Sequence, residues 1–254
     1  MLDPLQQFRL DGHVAVVTGA SAGLGVRFAR VLHAVGATVV VSARRADRLA
    51  ALVEELPGSI AIAADMAVAD DRERLIAEAL ERAGRIDVLV NNAGISHTVG
   101  IEQETLDQFE QAMQVNTTAV WHLCKLVVPH MTERRSGSIV NVASMLGHVG
   151  SAPIKQANYC ASKGAVVNMT RELALQLGRK GVRVNALCPG YFPSEMTAPM
   201  LGDESSERYL ATYAAMPRMG EEHELDGALL LLASPASTYM TGTSILVDGG
   251  FTAR

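Results

Sequence analysis

Seven apolar, strand-like runs recur along this chain, separated by segments whose apolar residues follow a helical repeat. The first run, "HVAVVTG" from His13 to Gly19, is rich in β-branched residues and closed by glycine. That pattern predicts a strand buried on both faces. "GLGVRFARVLHAVGA" follows, with Val31, Leu32 and Val35 at apolar positions, and predicts a helix stopped by Gly36. "TVVVSA" reads as a second strand, "ADRLAALVEEL" as a second helix halted by Pro57, and "SIAIAAD" as a third strand. "DDRERLIAEALERAG" predicts a third helix, acidic at its start as the helix dipole favours and closed by Gly84. Four further strands are expected at "IDVLVNNAG", "SGSIVNVAS", "GVRVNALCPG" and "TSILVDGG". Helices are expected over 105–135, interrupted near Pro129, over 158–179 and over 221–233. Continuous apolar strands alternating with amphipathic helices specify a parallel sheet covered on both faces. No Pro/Gly/Ser-rich linker or internal repeat divides the chain. Residues 1–254 are therefore expected to form one α/β, doubly wound (Rossmann) domain around a seven-stranded parallel sheet.

One stretch breaks the alternation. Residues 191–220, "YFPSEMTAPMLGDESSERYLATYAAMPRMG", carry four methionines and three prolines. Long insertions of this kind are usually functional, and open α/β sheets bind ligands beyond their strand carboxyl ends. The segment is read as a lid over an apolar substrate, with an oligomer contact or plain packing as the alternative.

Composition removes several classes. Hydrophobic residues make up 48% of the 254 and charged residues 19%, enough for a sizeable core. The net charge of −5, without a basic face, argues against nucleic acid. The longest apolar stretches, such as "ALLLLA", are too short to span a bilayer. "MLDPLQQFRL" lacks the basic start and apolar run of a secretory signal, so a cytoplasmic protein is expected and the sequons at Asn116 and Asn168 are read as chance. Cys124, Cys160 and Cys188 are too scattered for a disulfide framework or a zinc site, and the seven histidines form no metal motif; no metal is expected.

Candidate chemistry begins at "TGASAGLG", Thr18–Gly25, between the first strand and the first helix. Gly19, Gly23 and Gly25 permit a sharp turn and close backbone approach, and the helix then presents free N–H groups to an anion. In this strand–loop–helix setting Gly19, Ser21, Ala22, Gly23, Leu24 and Gly25 are expected to cradle a dinucleotide. The second strand ends "SARRAD": Ala43 stands where an acid would bind a ribose hydroxyl, and Arg44 and Arg45 follow. Two guanidiniums suit a 2′-phosphate, so NADP is favoured, and NAD is left to Asp47 as the only nearby acid. Farther on, "YCASK" places Tyr159 one helical turn before Lys163. An ammonium beside a phenol lowers the phenol's pKa, which suits acid–base work.

Taken in order, "TGASAGLG", "AADM" (63–66), "NNAG" (91–94), Asn116, Ser144, Tyr159 with Lys163, "PG" (189–190) and the closing "VDGG" resemble the short-chain dehydrogenase/reductase family over nearly the whole chain. The resemblance implies that Tyr159 donates the proton in ketone reduction and accepts it in alcohol oxidation. It implies that Lys163 holds the nicotinamide ribose and lowers the phenol's pKa, that Ser144 hydrogen-bonds the substrate oxygen, and that Asn116 anchors a water leading to Lys163. Asp65 and Met66 would sit by the adenine, and Asn92, Ala93 and Gly94 along the cofactor. Pro189, Gly190, Phe192 and Ser194 would face the nicotinamide carboxamide, Ser194 replacing the family's usual threonine. Two departures matter. Ser144 and Tyr159 are farther apart than the family usually shows, so the intervening segment must bulge, and Ala22 replaces a residue that is often basic in NADP users. A homo-oligomer, most often a tetramer, is also implied, with contacts through the helices around 109–128 and 158–179.

The expected activity is NADP-dependent interconversion of a ketone and a secondary alcohol on a fairly apolar small molecule. Ser96, His97, Leu146, Gln156, Tyr191, Met196 and Met200 are the candidate substrate contacts. A 3-oxoacyl thioester on a carrier protein is the alternative substrate, with Arg134–Arg135 or 178–181 as a basic patch at the pocket mouth; a polyol or sugar acid ranks lower. A dinucleotide-binding sensor without turnover is the alternative of another class.

Overall fold

Along β1 (Val14–Thr18) alternate residues enter opposite layers: Val14 and Val16 pack into one core, Ala15 and Val17 into the other. The register repeats this across the sheet. Val40, Val16, Leu89, Ile139 and Val184 form one row and Val41, Val17, Val90 and Val140 the next. The other strands are β2 (Thr38–Ala43), β3 (Ile60–Ala63), β4 (Val88–Asn91), β5 (Gly137–Val142), β6 (Val182–Pro189) and β7 (Ser244–Val247). They form one parallel, seven-stranded sheet in the order β3-β2-β1-β4-β5-β6-β7. The computed structural model describes residues 3–253; Met1, Leu2 and Arg254, the ends of the expected domain, lie outside the described residues.

Helices α1 (Gly23–Ala34), α2 (Ala46–Glu55) and α8 (Asp226–Ala233) cover one face through Phe28, Leu32, Leu49, Leu52, Leu229 and Leu232. On the other face lie α3 (Ala69–Ala83), α5 (Ala119–Glu133) and α6 (Ala157–Leu177), burying Leu75, Leu123, Val127, Met131 and Val166. A sheet covered on both sides has no place for alternating polar residues, which explains the apolar runs. The strand order reverses between β1 and β4, and a crevice opens beyond their carboxyl ends, where such folds bind ligands.

The expected elements need three corrections. The 105–135 helix is not interrupted at Pro129. It begins as α4 (Leu106–Met113), widens into a π turn over Gln114–Thr118, and continues as α5 straight through Pro129. Proline cannot donate to the carbonyl four residues back, and with only the last turn of α5 beyond it the helix continues to Glu133, where Thr132 Oγ1 donates to the Val128 and Pro129 carbonyls at 2.9 and 3.0 Å. Second, the runs "SIAIAAD" and "IDVLVNNAG" leave the sheet at Ala63 and Asn91, so Asp65, Met66, Asn92, Ala93 and Gly94 lie in loops at the crevice. Third, the 191–220 insertion contains a helix, α7 (Glu204–Tyr213), whose Asp203 cap accepts from Ser206 N at 2.8 Å.

Candidate active site

The glycine loop is locked to β4. Thr18 Oγ1 accepts from the Asn92 and Ala93 amides at 3.0 and 3.1 Å, while Asn92 Nδ2 donates to the Thr18 carbonyl at 2.9 Å. Gly19 sits at φ +68, and a Cβ on Gly25 would overlap the Gly19 carbonyl oxygen, so the chain folds back on itself here at a distance only glycine allows. At the start of α1 the N-cap position is Ala22, and no side chain accepts from the first turn. Those N–H groups remain available to an anion.

The loop opens into a cavity of about 350 Å³. Every residue expected at a cofactor lines it: the glycine loop, Arg44 and Arg45, Asp65 and Met66, Asn92–Gly94, Pro189, Gly190, Phe192 and Ser194, together with Ser144, Tyr159 and Lys163. Ser144 lies just past β5 and Tyr159 and Lys163 in the first two turns of α6. The Lys163 Nζ donates to the Val142 carbonyl at 2.8 Å and stands 5.6 Å from the centre of the Tyr159 ring. Burial lowers this amine to about 8.

The phenol does not follow the simple expectation. Burial pushes Tyr159 up to about 12, although the ring keeps some surface in the cavity; the adjacent Ser144 hydroxyl works the other way. Lys163 does not offset this: burial lowers its own amine to about 8, so it has lost its charge before the phenol titrates. Asn116 lies in the π turn, fully buried and outside the cavity lining. Its Nδ2 donates to Ile95 O at 2.8 Å and to Ser162 Oγ at 2.9 Å, and its Oδ1 accepts from Ile95 N at 2.8 Å. In these contacts it holds the loop that carries Gly94 and Ile95 past Lys163.

The candidate substrate contacts separate. Met196 lines the main cavity; Ser96, His97, Leu146, Gln156, Tyr191 and Met200 do not. Ser96 Oγ donates to Gln156 Oε1 at 3.1 Å, and His97 Nε2 lies 3.0 Å from Gln111 Oε1. Leu146, Tyr191 and Met200 join an apolar cluster with Tyr209, Leu210 and Phe251, against which Tyr159 also packs. The Tyr191 and Tyr209 rings meet edge to face at 5.8 Å. Of the residues between Ser144 and Tyr159, Ile154 packs against that cluster and His148 Nε2 lies 3.6 Å from the buried Cys188 Sγ.

Known proteins resemble this chain over almost its whole length. A family profile described as enoyl-(acyl carrier protein) reductase matches residues 19–252. A gluconate 5-dehydrogenase of Gluconobacter oxydans is 38% identical over 250 residues, 96% of each chain. A 3-oxoacyl-(acyl-carrier-protein) reductase of Thermotoga maritima is 35% identical, covering 95% of this chain and 98% of its own. A solved short-chain type dehydrogenase/reductase from Mycobacterium marinum superposes with a TM-score of 0.93 at 34% identity, covering 99% of this chain and all of that one. The chain belongs to the short-chain dehydrogenase/reductase family. It is an NAD(P)-dependent oxidoreductase acting on CH–OH/C=O groups. A gluconate 5-dehydrogenase from Burkholderia cenocepacia, crystallised with NADP and tartrate, has a TM-score of 0.93 at 33% identity, covering 99% and 100% of the two chains.

The dehydrogenase's own side chains fit such a dinucleotide. Besides the cradle that a Cβ would fill, Arg45 and Arg48 hold a carboxylate, that of Glu195, at the cavity's edge. Arg44 is exposed on the cavity rim and makes no ion pair among the described residues. Sequence reasoning passed over Ile95, Gln111, Val115, Glu195 and Thr197, which also line the cavity. Thr197 had a local signal: its amide donates to Ser194 Oγ at 3.2 Å, a turn that "SEMT" encodes. Gln111 and Val115 had none, because only the π turn decides which side of that helix meets the crevice.

Proposed function

We propose that this enzyme uses NADP(H) in preference to NAD(H) to interconvert a ketone and a secondary alcohol on a fairly apolar substrate. One observation carries the reading: a single cavity joins the glycine loop and the arginines that follow β2 to Ser144, Tyr159 and Lys163. When bound, the dinucleotide supplies or accepts the hydride. Tyr159 gives its proton to the carbonyl oxygen in reduction and takes one in oxidation. Ser144 donates to the same oxygen, stabilising the charge that builds there. Lys163 holds the ribose hydroxyls and carries positive charge beside the phenol. Asn116 keeps the Ile95 loop and the proton path to Lys163 in place. Asp65 and Met66 flank the adenine, Asn92, Ala93 and Gly94 run along the cofactor, and Pro189, Gly190, Phe192 and Ser194 face the carboxamide.

The preference for NADP is supported by the paired arginines, by the absence of an acid at Ala43, and by relatives crystallised with NADP. The apolar substrate is supported by the Tyr191–Tyr209–Phe251 cluster beside Tyr159, which the 191–220 segment, acting as a lid, helps to build. Relatives named for gluconate, galactitol and 3-oxoacyl thioesters make sugar acids, polyols and carrier-bound thioesters the second reading. For the thioester, neither expected basic patch serves. Arg134–Arg135 and Arg179–Lys180 lie just before β5 and β6, at the end of the sheet away from the cavity. A non-catalytic sensor would have no use for Ser144, Tyr159 and Lys163 brought together. The enzyme is proposed to be cytoplasmic and to form a homotetramer through α5 and α6, where the outward-facing Trp121 and Leu175, 47% and 80% exposed, offer apolar contact surface; among the described residues no helix is long and apolar enough to cross a membrane.

The test follows reduced-nicotinamide absorbance with NADPH or NADH against apolar ketones, a keto sugar acid and a 3-oxoacyl thioester. Tyr159→Phe should lose about 10²–10⁴ of turnover with the best substrate and keep its cofactor affinity within about twofold. Undiminished turnover in that variant would remove the acid–base assignment.

A further inference from the structure

We infer that Glu195 is a specificity-determining latch: its carboxylate fills the anion subsite that a 2′-phosphate must take, and competes with that phosphate for Arg45, Arg48 and Ser21. This rests on the NADP reading above and adds a residue that lowers the preference rather than creating it.

The contacts form a ready anion site. Arg45 Nη1 and Nη2 donate to the two Glu195 carboxylate oxygens at 2.7 and 2.9 Å, a bidentate fork. Arg48 Nη1 donates to Glu195 Oε1 at 2.7 Å. Arg45 Nε and Nη2 also donate to Ser21 Oγ, at 3.0 and 2.9 Å, which ties the arginine to the glycine loop. Ser21 leads into α1, Arg45 caps α2, Arg48 lies in the first turn of α2, and Glu195 follows β6 by six residues, so three separate segments converge at the cavity's edge. The two arginines hold the Glu195 carboxyl far below its ordinary value, at about 2, so it stays an anion at any working pH. Among the described residues Asp47 also acts on Arg45, from the first turn of α2.

The latch is strong in geometry and weak in energy. Glu195 is 58% exposed and Arg45 37%, and ion pairs in that setting contribute little net stability. A phosphate offers more charge and a third acceptor oxygen to the same fork, so it displaces the carboxylate. An unphosphorylated ribose brings no anion to Arg45 and leaves the Glu195 pairs intact. Glu195 therefore taxes only the phosphorylated cofactor, and only that cofactor frees the start of the 191–220 segment from α2.

Calorimetric titration of the full chain tests this with NADPH, NADH, 2′,5′-ADP and 5′-AMP, on wild type, Glu195→Gln and Glu195→Ala. Both variants should bind NADPH and 2′,5′-ADP about three- to tenfold more tightly, with NADH and 5′-AMP unchanged within about twofold. No gain, or an equal gain for all four ligands, overturns the latch, whatever the wild-type preference. A wild type that does not favour NADPH, with variants that do, upholds the latch and removes the NADP reading. A wild type that favours NADPH, with variants that bind identically, does the reverse.

Discussion

Lys163 offers a test of how burial sets charge beside the proposed proton donor. It is 3% exposed, and its ammonium donates to the Val142 carbonyl. Methionine would keep the unbranched stem and remove the titrating group. Burial lowers the amine from its ordinary 10.5 to about 8. Below about 8 both folded and unfolded chains carry the proton, and the folded chain bears the full cost of a buried cation. Between the two values the unfolded chain keeps a proton that the folded chain has released, so stability rises with pH across that window. Each unit is worth about 1.4 kcal/mol per proton. From about pH 8, where the folded amine is half titrated, to about pH 9.5 the wild type should therefore gain about 1.5 kcal/mol of unfolding free energy relative to Lys163→Met. The Val142 carbonyl left without its donor shifts the variant by a constant, which cancels in the pH dependence. Tyr159 does not interfere: its phenol is pushed up to about 12 when folded, from an ordinary 10.0, so its effect starts above this range and has the opposite sign. Urea unfolding of both proteins across matched buffers reads the difference directly. A gap between the two curves that stays constant with pH would refute the reasoning, and with it the picture of a lysine whose charge is held near its titration point by burial.

Two further substitutions probe the cofactor end. Gly25→Ala should destabilise the protein by about 1–3 kcal/mol, because its Cβ overlaps the Gly19 carbonyl and the backbone must shift; thermal or urea unfolding at wild-type stability would show the loop to be looser than its geometry indicates. Arg44→Asp should weaken NADPH binding about tenfold or more and NADH binding far less, since it reverses a charge at the rim where a phosphate would lie. Equal losses for both cofactors, measured by titration, would remove the argument from the arginines that follow β2.

The alternation of strands and helices was legible because burial on both faces leaves a one-dimensional trace: "HVAVVTG" and "GVRVNALCPG" have no polar side to show. Features that depend on local geometry were less legible. Pro129 is a strong break signal read alone, yet it sits where α5 has few turns left to lose. The π turn over Gln114–Thr118 has no glycine or proline to announce it; it is recognised only through Asn116, which is turned inward to satisfy the Ile95 backbone. Helix α7 did leave a trace, in Asp203 followed by Glu204 and Glu207 ahead of Tyr209 and Leu210, the cap, charge and apolar order of a helix start.

The site divides in the same way, and the division explains why the substrate resists reading. Residues of the cofactor end follow strand ends, so their positions in the crevice come with the sheet. Substrate contacts depend on how the 191–220 segment leaves β6, and that is decided by non-local packing. Phe192 is buried at 4% exposure in the core beneath α8, with its ring against Gly220, where a Cβ would overlap it. On one side of this anchor Tyr191 turns into the aromatic cluster that packs on Tyr159; on the other, Ser194 lies over Gly23 and Glu195 reaches Arg45. Residues 191–195 thus run from the aromatic cluster against Tyr159 to the arginines at the cavity's edge. Substitutions at Phe192, which anchors this length of chain, should therefore alter KM for the substrate and for NADPH together; steady-state kinetics in which only one of the two changes would show the two ends to be independent.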